Sequence, residues 1–133
     1  MTGAEIMGVL FLANQPLTAA VAEQAIKAGR LPDGVTLPSV LVRTVSLIDR
    51  QPLRRQGWIR SIARVSAMVR ATSYEEQIGI IGLVRGIPLG AVGTIGTAQN
   101  VVVLTAGLGP DVIGPGDTFE QTQDFRVAFD GPA

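Results

Sequence analysis

The stretch TFEQTQDFRVAFD, residues 118–130, decides how this chain is read. Phe119, Phe125, Val127 and Phe129 fall on odd positions, and Glu120, Asp124, Arg126 and Asp130 on even ones. That period of two marks a β-strand with one buried face. Three of the four phenylalanines lie here, so the strand carries most of the aromatic core; coming last, it closes a sheet laid down earlier. Before it, the segment GLGPDVIGPGD from Gly107 to Asp117 reads as a long β-β loop, and VVVLT, residues 101–105, as a short, continuously apolar strand.

Working outward, residues 58–71 alternate in the same way. Ile59, Ala63, Val65, Ala67 and Val69 share one face, and Arg60, Arg64 and Arg70 share the other with Ile62 and Met68. Residues 39–48 (SVLVRTVSLI) are β-branched and apolar on both faces, which predicts a strand that is central or covered on both sides. Between these two strands, residues 49–57 form a polar hairpin tip or a loop ordered on assembly. Thr2 and Glu5 make a capping box for a first helix over residues 3–13. The Asn14-Gln15-Pro16 break follows, then a short helical piece over residues 19–28, capped by Thr18 and closed by Gly29. Ser73 and Glu76 open the main helix, with Ile78, Ile81 and Val84 at three-residue steps and Gly86 and Pro88 ending it. Its internal Gly79 and Gly82 point to close approach of helix backbone and sheet. Residues 89–98 are glycine-rich loop, with local strand at 92–95. The expected fold is α+β, in the order α-α-β-β-α-β-β: one domain over residues 1–133, with a four-stranded, mostly antiparallel sheet and helices packed on one face.

The composition narrows the chemistry. At 133 residues and 47% hydrophobic content the chain builds one core. It has neither cysteine nor histidine, which removes disulfides, thiolate chemistry, the commonest general base and the commonest transition-metal ligand. No catalytic residue, cofactor or metal site is expected. Asp111, Asp117 and Glu120 are oxygen donors without EF-hand spacing, and Glu75 and Glu76 are explained by the dipole of a helix start. The Gly107-to-Asp117 loop lacks the Gly-Lys-Ser/Thr of a P-loop; a small α/β binding domain or enzyme using that loop is the alternative from another class. The first apolar run, residues 6–13, is too short to span a bilayer, and no membrane role is expected.

The charges are segregated. Residues 43–70 hold seven arginines against Asp49 alone, and residues 111–130 hold five acids against Arg126. Such blocks either pair across strands within the sheet or meet head to tail between copies. Candidate interface residues are Arg50, Arg54, Arg55, Arg60 and Arg64 on one side and Asp111, Asp117, Glu120 and Asp124 on the other.

Three segments carry a resemblance to a known family: LPSVLVRTVSLIDRQPLRR (37–55), RVSAMVRATSYEEQIGIIGLV (64–84) and VVVLTAGLGPDVIGPGDTFEQTQDFRVAFD (101–130). In pattern and order they resemble the tail terminator, or tail completion, proteins of long-tailed phages, prophages and gene-transfer agents. The resemblance implies a virion structural protein of the tail or neck, made in the host cytoplasm. It would form a homo-oligomeric ring, a hexamer in that family, that caps the tail tube, ends tube growth and joins the tail tube protein to the head-side connector protein. DNA would pass through without sequence recognition. A head-side connector or stopper is the nearest alternative.

Overall fold

A computed structural model describes residues 1–32, 34–54 and 57–132. Ten elements of helix and strand follow one another: α1 (Gly3–Leu12), α2 (Gln15–Ala20), β1 (Ile26–Ala28), β2 (Ser39–Arg50), β3 (Trp58–Ala71), α3 (Tyr74–Arg85), β4 (Gly90–Ile95), β5 (Ala98–Leu108), β6 (Val112–Gly114) and β7 (Thr118–Pro132). The strands form one sheet in the order β1-β2-β3-β7-β5-β4, with β6 also on β7.

The expectation of a four-stranded, mostly antiparallel sheet is therefore corrected: the sheet has seven strands, is mixed and curls into half a barrel. Its parallel pair is β1 with β2, where Ile26 to Ala28 register with Val40 to Val42. Three strands had no strong sequence signal. β1 is three residues long and falls where a helix was expected; there α2 instead starts at Gln15, because the Asn14 side chain accepts a hydrogen bond from the Leu17 N–H and Pro16 sits in the first turn. β4 contains Gly90 and Gly93, both at positive φ, and its pairing with β5 is irregular on either side of Gly93. β6 lies inside the supposed loop from Gly107 to Asp117. That segment continues β5 along the same edge of β7, with the Gly109 N–H donating to the Thr122 carbonyl, and turns back only at residues 115–117.

The last strand does not merely close the sheet. β7 pairs with β3 from Phe119 to Pro132 on one edge, and with β5 and β6 on the other. Gln123, Phe125, Val127 and Phe129 are buried on its core face, whereas Phe119 is only half-buried and tilts against Tyr74. The Phe125 ring meets Phe11 of α1 edge-on, with centroids 5.9 Å apart. α1 and α3 both cover this face.

The capping box at Thr2 and Glu5 forms in both directions. At α3 the Ser73 hydroxyl accepts from the Glu76 N–H, but the Glu76 carboxylate accepts from the Thr72 N–H instead of closing the box. The buried stripe of α3 is Gln77, Ile80, Ile81 and Val84, with Ile78 half-exposed. Gly79 and Gly82 consequently lie on the solvent side with open space around them, which corrects the expectation that they let the helix approach the sheet. Close approach occurs at Gly3, where a Cβ would come within 2.7 Å of the Ala63 Cβ.

These environments give opposite signs for the same substitution. Gly82→Ala should stabilise by up to about 1 kcal/mol, the helix-propensity difference. Gly3→Ala should destabilise by about 1–3 kcal/mol through overpacking. Urea unfolding of the two variants beside the parent chain measures both.

Candidate functional site

The helix-free face of the sheet gathers most of the segregated charge. Because β3 and β7 are antiparallel neighbours in continuous register, Arg60 falls opposite Asp130 and Arg70 opposite Glu120. Their ion pairs measure 3.2 and 3.0 Å. Arg64 falls opposite Arg126, and like charges directly opposed repel; its Nε donates diagonally to Asp124 Oδ2 at 2.8 Å instead. Arg126 stays exposed and makes no ion pair among the described residues. The opposed charge blocks thus meet inside one chain.

Two of these arginines have a second task. The register between β5 and β7 slips between Gln99 and Val102 and again between Thr105 and Gly107. Arg60 donates to the Asn100 carbonyl at 2.8 Å, and Arg64 to the Ala106 carbonyl at 3.2 Å. Each guanidinium thus satisfies a carbonyl within an irregular stretch and ties β3, β7 and β5 together. Asn100, at positive φ, completes the first cluster by donating from its amide to Asp130 Oδ2. That bond first, and then the Arg60 guanidinium, hold the Asp130 carboxyl below the ordinary carboxylate range, against an opposing desolvation.

On the helix side, glutamines bind the β5–β6 arm to the domain. Gln123, fully buried, donates to the carbonyls of Gly107 and Asp124, and its Oε1 accepts from Arg85 of α3 at 2.8 Å. Gln121 donates to the Gly109 carbonyl. Gln77, also buried, donates to Asp111 Oδ1 at 2.7 Å and to Gln121 Oε1 at 3.1 Å. The two odd-position glutamines of FEQTQDFRV thus satisfy carbonyls of a segment too irregular to pair fully with β7. Their signal in the sequence is polar residues at positions the alternation reserves for the core.

The candidate interface residues consequently separate. Arg60, Arg64, Glu120 and Asp124 bond to one another's strands within the chain. Asp111 accepts from Gln77 and from the Tyr74 hydroxyl. Arg50, Arg54 and Asp117 are exposed and have no ion pair among the described residues, and Arg55 lies outside the described residues. Arg50 and Arg54 belong to the end of the sheet where Trp58 registers with Pro132. Asp117 belongs to the opposite end, in the turn after Gly114 and Thr118 pair. Beside the arm, Gly109, Pro110, Val112, Glu120, Gln121 and Thr122 line a hollow of about 130 Å³, well below the ~300–1,000 Å³ of small-molecule sites.

Replacing Gln123 with leucine leaves the Gly107 carbonyl and the Arg85 guanidinium without their partner. The expected loss is about 1–3 kcal/mol, with faster amide exchange concentrated in residues 107–114. For Asp130 the sign follows from the depressed folded value: its contribution is present above the unfolded carboxylate range and is lost as pH falls through the folded value. Asn100→Ala should raise the Asp130 midpoint and shrink that acid-range loss, which carboxyl-carbon NMR titration and acid unfolding would read.

No family model matches the chain, and no curated protein matches it. Among solved structures, it is similar to a chain in the virion of a native gene transfer agent (GTA) particle, at a TM-score of 0.71. The alignment covers 97% of this chain and 95% of that one at 13% identity, so the likeness is one of fold across the whole domain.

Proposed function

We propose that the chain is a structural subunit of a phage-like or gene-transfer-agent particle. In this reading it forms a ring, a hexamer, that caps the tail tube, ends its growth and offers the joining surface to the head-side connector. The observation that carries the proposal is the end-to-end fold match to a chain of a gene transfer agent virion. The distribution of charge supports it. Arg60, Arg64 and Arg70 are ion-paired within the chain, while Arg50 and Arg54 at one end of the sheet and Asp117 at the other have no ion pair among the described residues. A subunit built this way gives a ring two faces of opposite sign, suited to different partners above and below. DNA passing through the ring is not read.

Light scattering after size exclusion should give a ring mass, and the ring should co-sediment with tail tubes. Arg50→Glu with Arg54→Glu should preserve the ring mass and weaken binding at one face, because both side chains are exposed and unpaired; added salt should act in the same direction. A chain monomeric at every concentration, with and without tubes, would refute the ring. Co-sedimentation with the connector but not with tubes would refute the capping role.

A further inference from the structure

We propose that neighbouring copies join edge to edge, with the outer edge of β2 in one copy pairing antiparallel with the free edge of the β5–β6 arm in the next, so that the curled sheet continues around the ring. This rests on the ring reading and says which surfaces build it.

Both edges are open, long and apolar. β1 covers β2 only from Val40 to Val42, so from Arg43 to Arg50 the outer edge of β2 has no neighbour among the described residues. Val45, Leu47 and Ile48 there are 58%, 52% and 63% exposed. On the far side of the sheet β4 covers β5 only from Ala98 to Val103. Beyond it Leu104, Leu108, Val112 and Ile113 are exposed along the arm. Unprotected edges of this kind template pairing with another chain.

The geometry makes a second copy the fitting occupant. β2, β3, β7 and β5 are successively antiparallel, so β5 runs opposite to β2. Cyclic symmetry keeps every copy's strand direction, which makes a β2–β5 junction antiparallel without rearrangement. The levels also agree. Leu104 registers through Arg126 and Arg64 with Ser46, and Leu108 through Gln123 and Ala67 with Val42. The free part of β5 therefore lies level with the start of the free part of β2. Arg43, exposed and without an ion pair among the described residues, stands at the start of that free part, level through Ser66 and Asp124 with Gly107.

The chain has no cysteine, so introduced thiols report cleanly. Ser46 and Leu104 are exposed, lie on the helix-free side in register with Arg64 and Arg126, and stand at opposite edges of the sheet, so a disulfide between them joins different copies. The double variant Ser46→Cys with Leu104→Cys, and the parallel pair Thr44→Cys with Thr105→Cys, are oxidised mildly and run without reductant. The expected result is a ladder of multimers from at least one double variant and none from any single variant. In the parent chain, amide exchange over residues 43–46 should slow at least about tenfold on assembly. Dimers from Ser46→Cys alone would overturn the proposal in favour of two-fold β2-to-β2 pairing. No ladder and no added protection in a sample of ring mass would overturn it while leaving the ring in place. A monomeric mass throughout would remove both.

Discussion

Backbone pairing along both edges of β7 is the constraint on which the other elements depend. On one side its ladder to β3 runs unbroken from Phe119 to Pro132; on the other it holds β5 and β6 in succession. Because β7 lies between β3 and β5, the two parts of the sheet, β1-β2-β3 and β5-β4, are joined through it. The same strand presents Phe125 to Phe11, so docking of α1 and closure of the sheet are one packing event.

The irregularities of β5 explain several polar residues that would otherwise look like surface decoration. A strand that slips register twice leaves carbonyls outside the ladder, and unpaired carbonyls at a packed surface are costly. Arg60 and Arg64 reach across β7 from the helix-free side, while Gln121 and Gln123 reach from the helix side. The arm is therefore held from both faces although little of it is regular. Ion pairs this exposed contribute about 0–1 kcal/mol each, and their larger effect is to fix which charges remain free at the two ends of the sheet.

Much of the architecture was legible in residue order. The capping residues Thr2 and Ser73, the whole of β3 and the buried row Phe125, Val127 and Phe129 follow from local hydrogen bonding and the period of two. β1 and β6 were not legible and β4 only over residues 92–95, since three-residue or glycine-broken strands exist only by pairing with a longer neighbour. The stripe of α3 was misread for a related reason. Ile78 has the more apolar side chain, yet Gln77 occupies the buried position, because Asp111 and Gln121 wait there with hydrogen-bond partners.

By itself the sequence determined the single core, the lack of cysteine and histidine chemistry, the helix starts and the alternating faces of β3 and β7, because these depend on composition and near neighbours. Only the tertiary structure decided that Arg60, Arg64 and Arg70 pair with Asp130, Asp124 and Glu120 within one chain, since that depends on which residues come into register across two strands about sixty positions apart. It also decided that β2 ends in an open apolar edge. Residues 39–48 read as a strand apolar on both faces and so covered on both sides, but what covers it depends on where β1 stops, and β1 stops at Ala28, level with Val42.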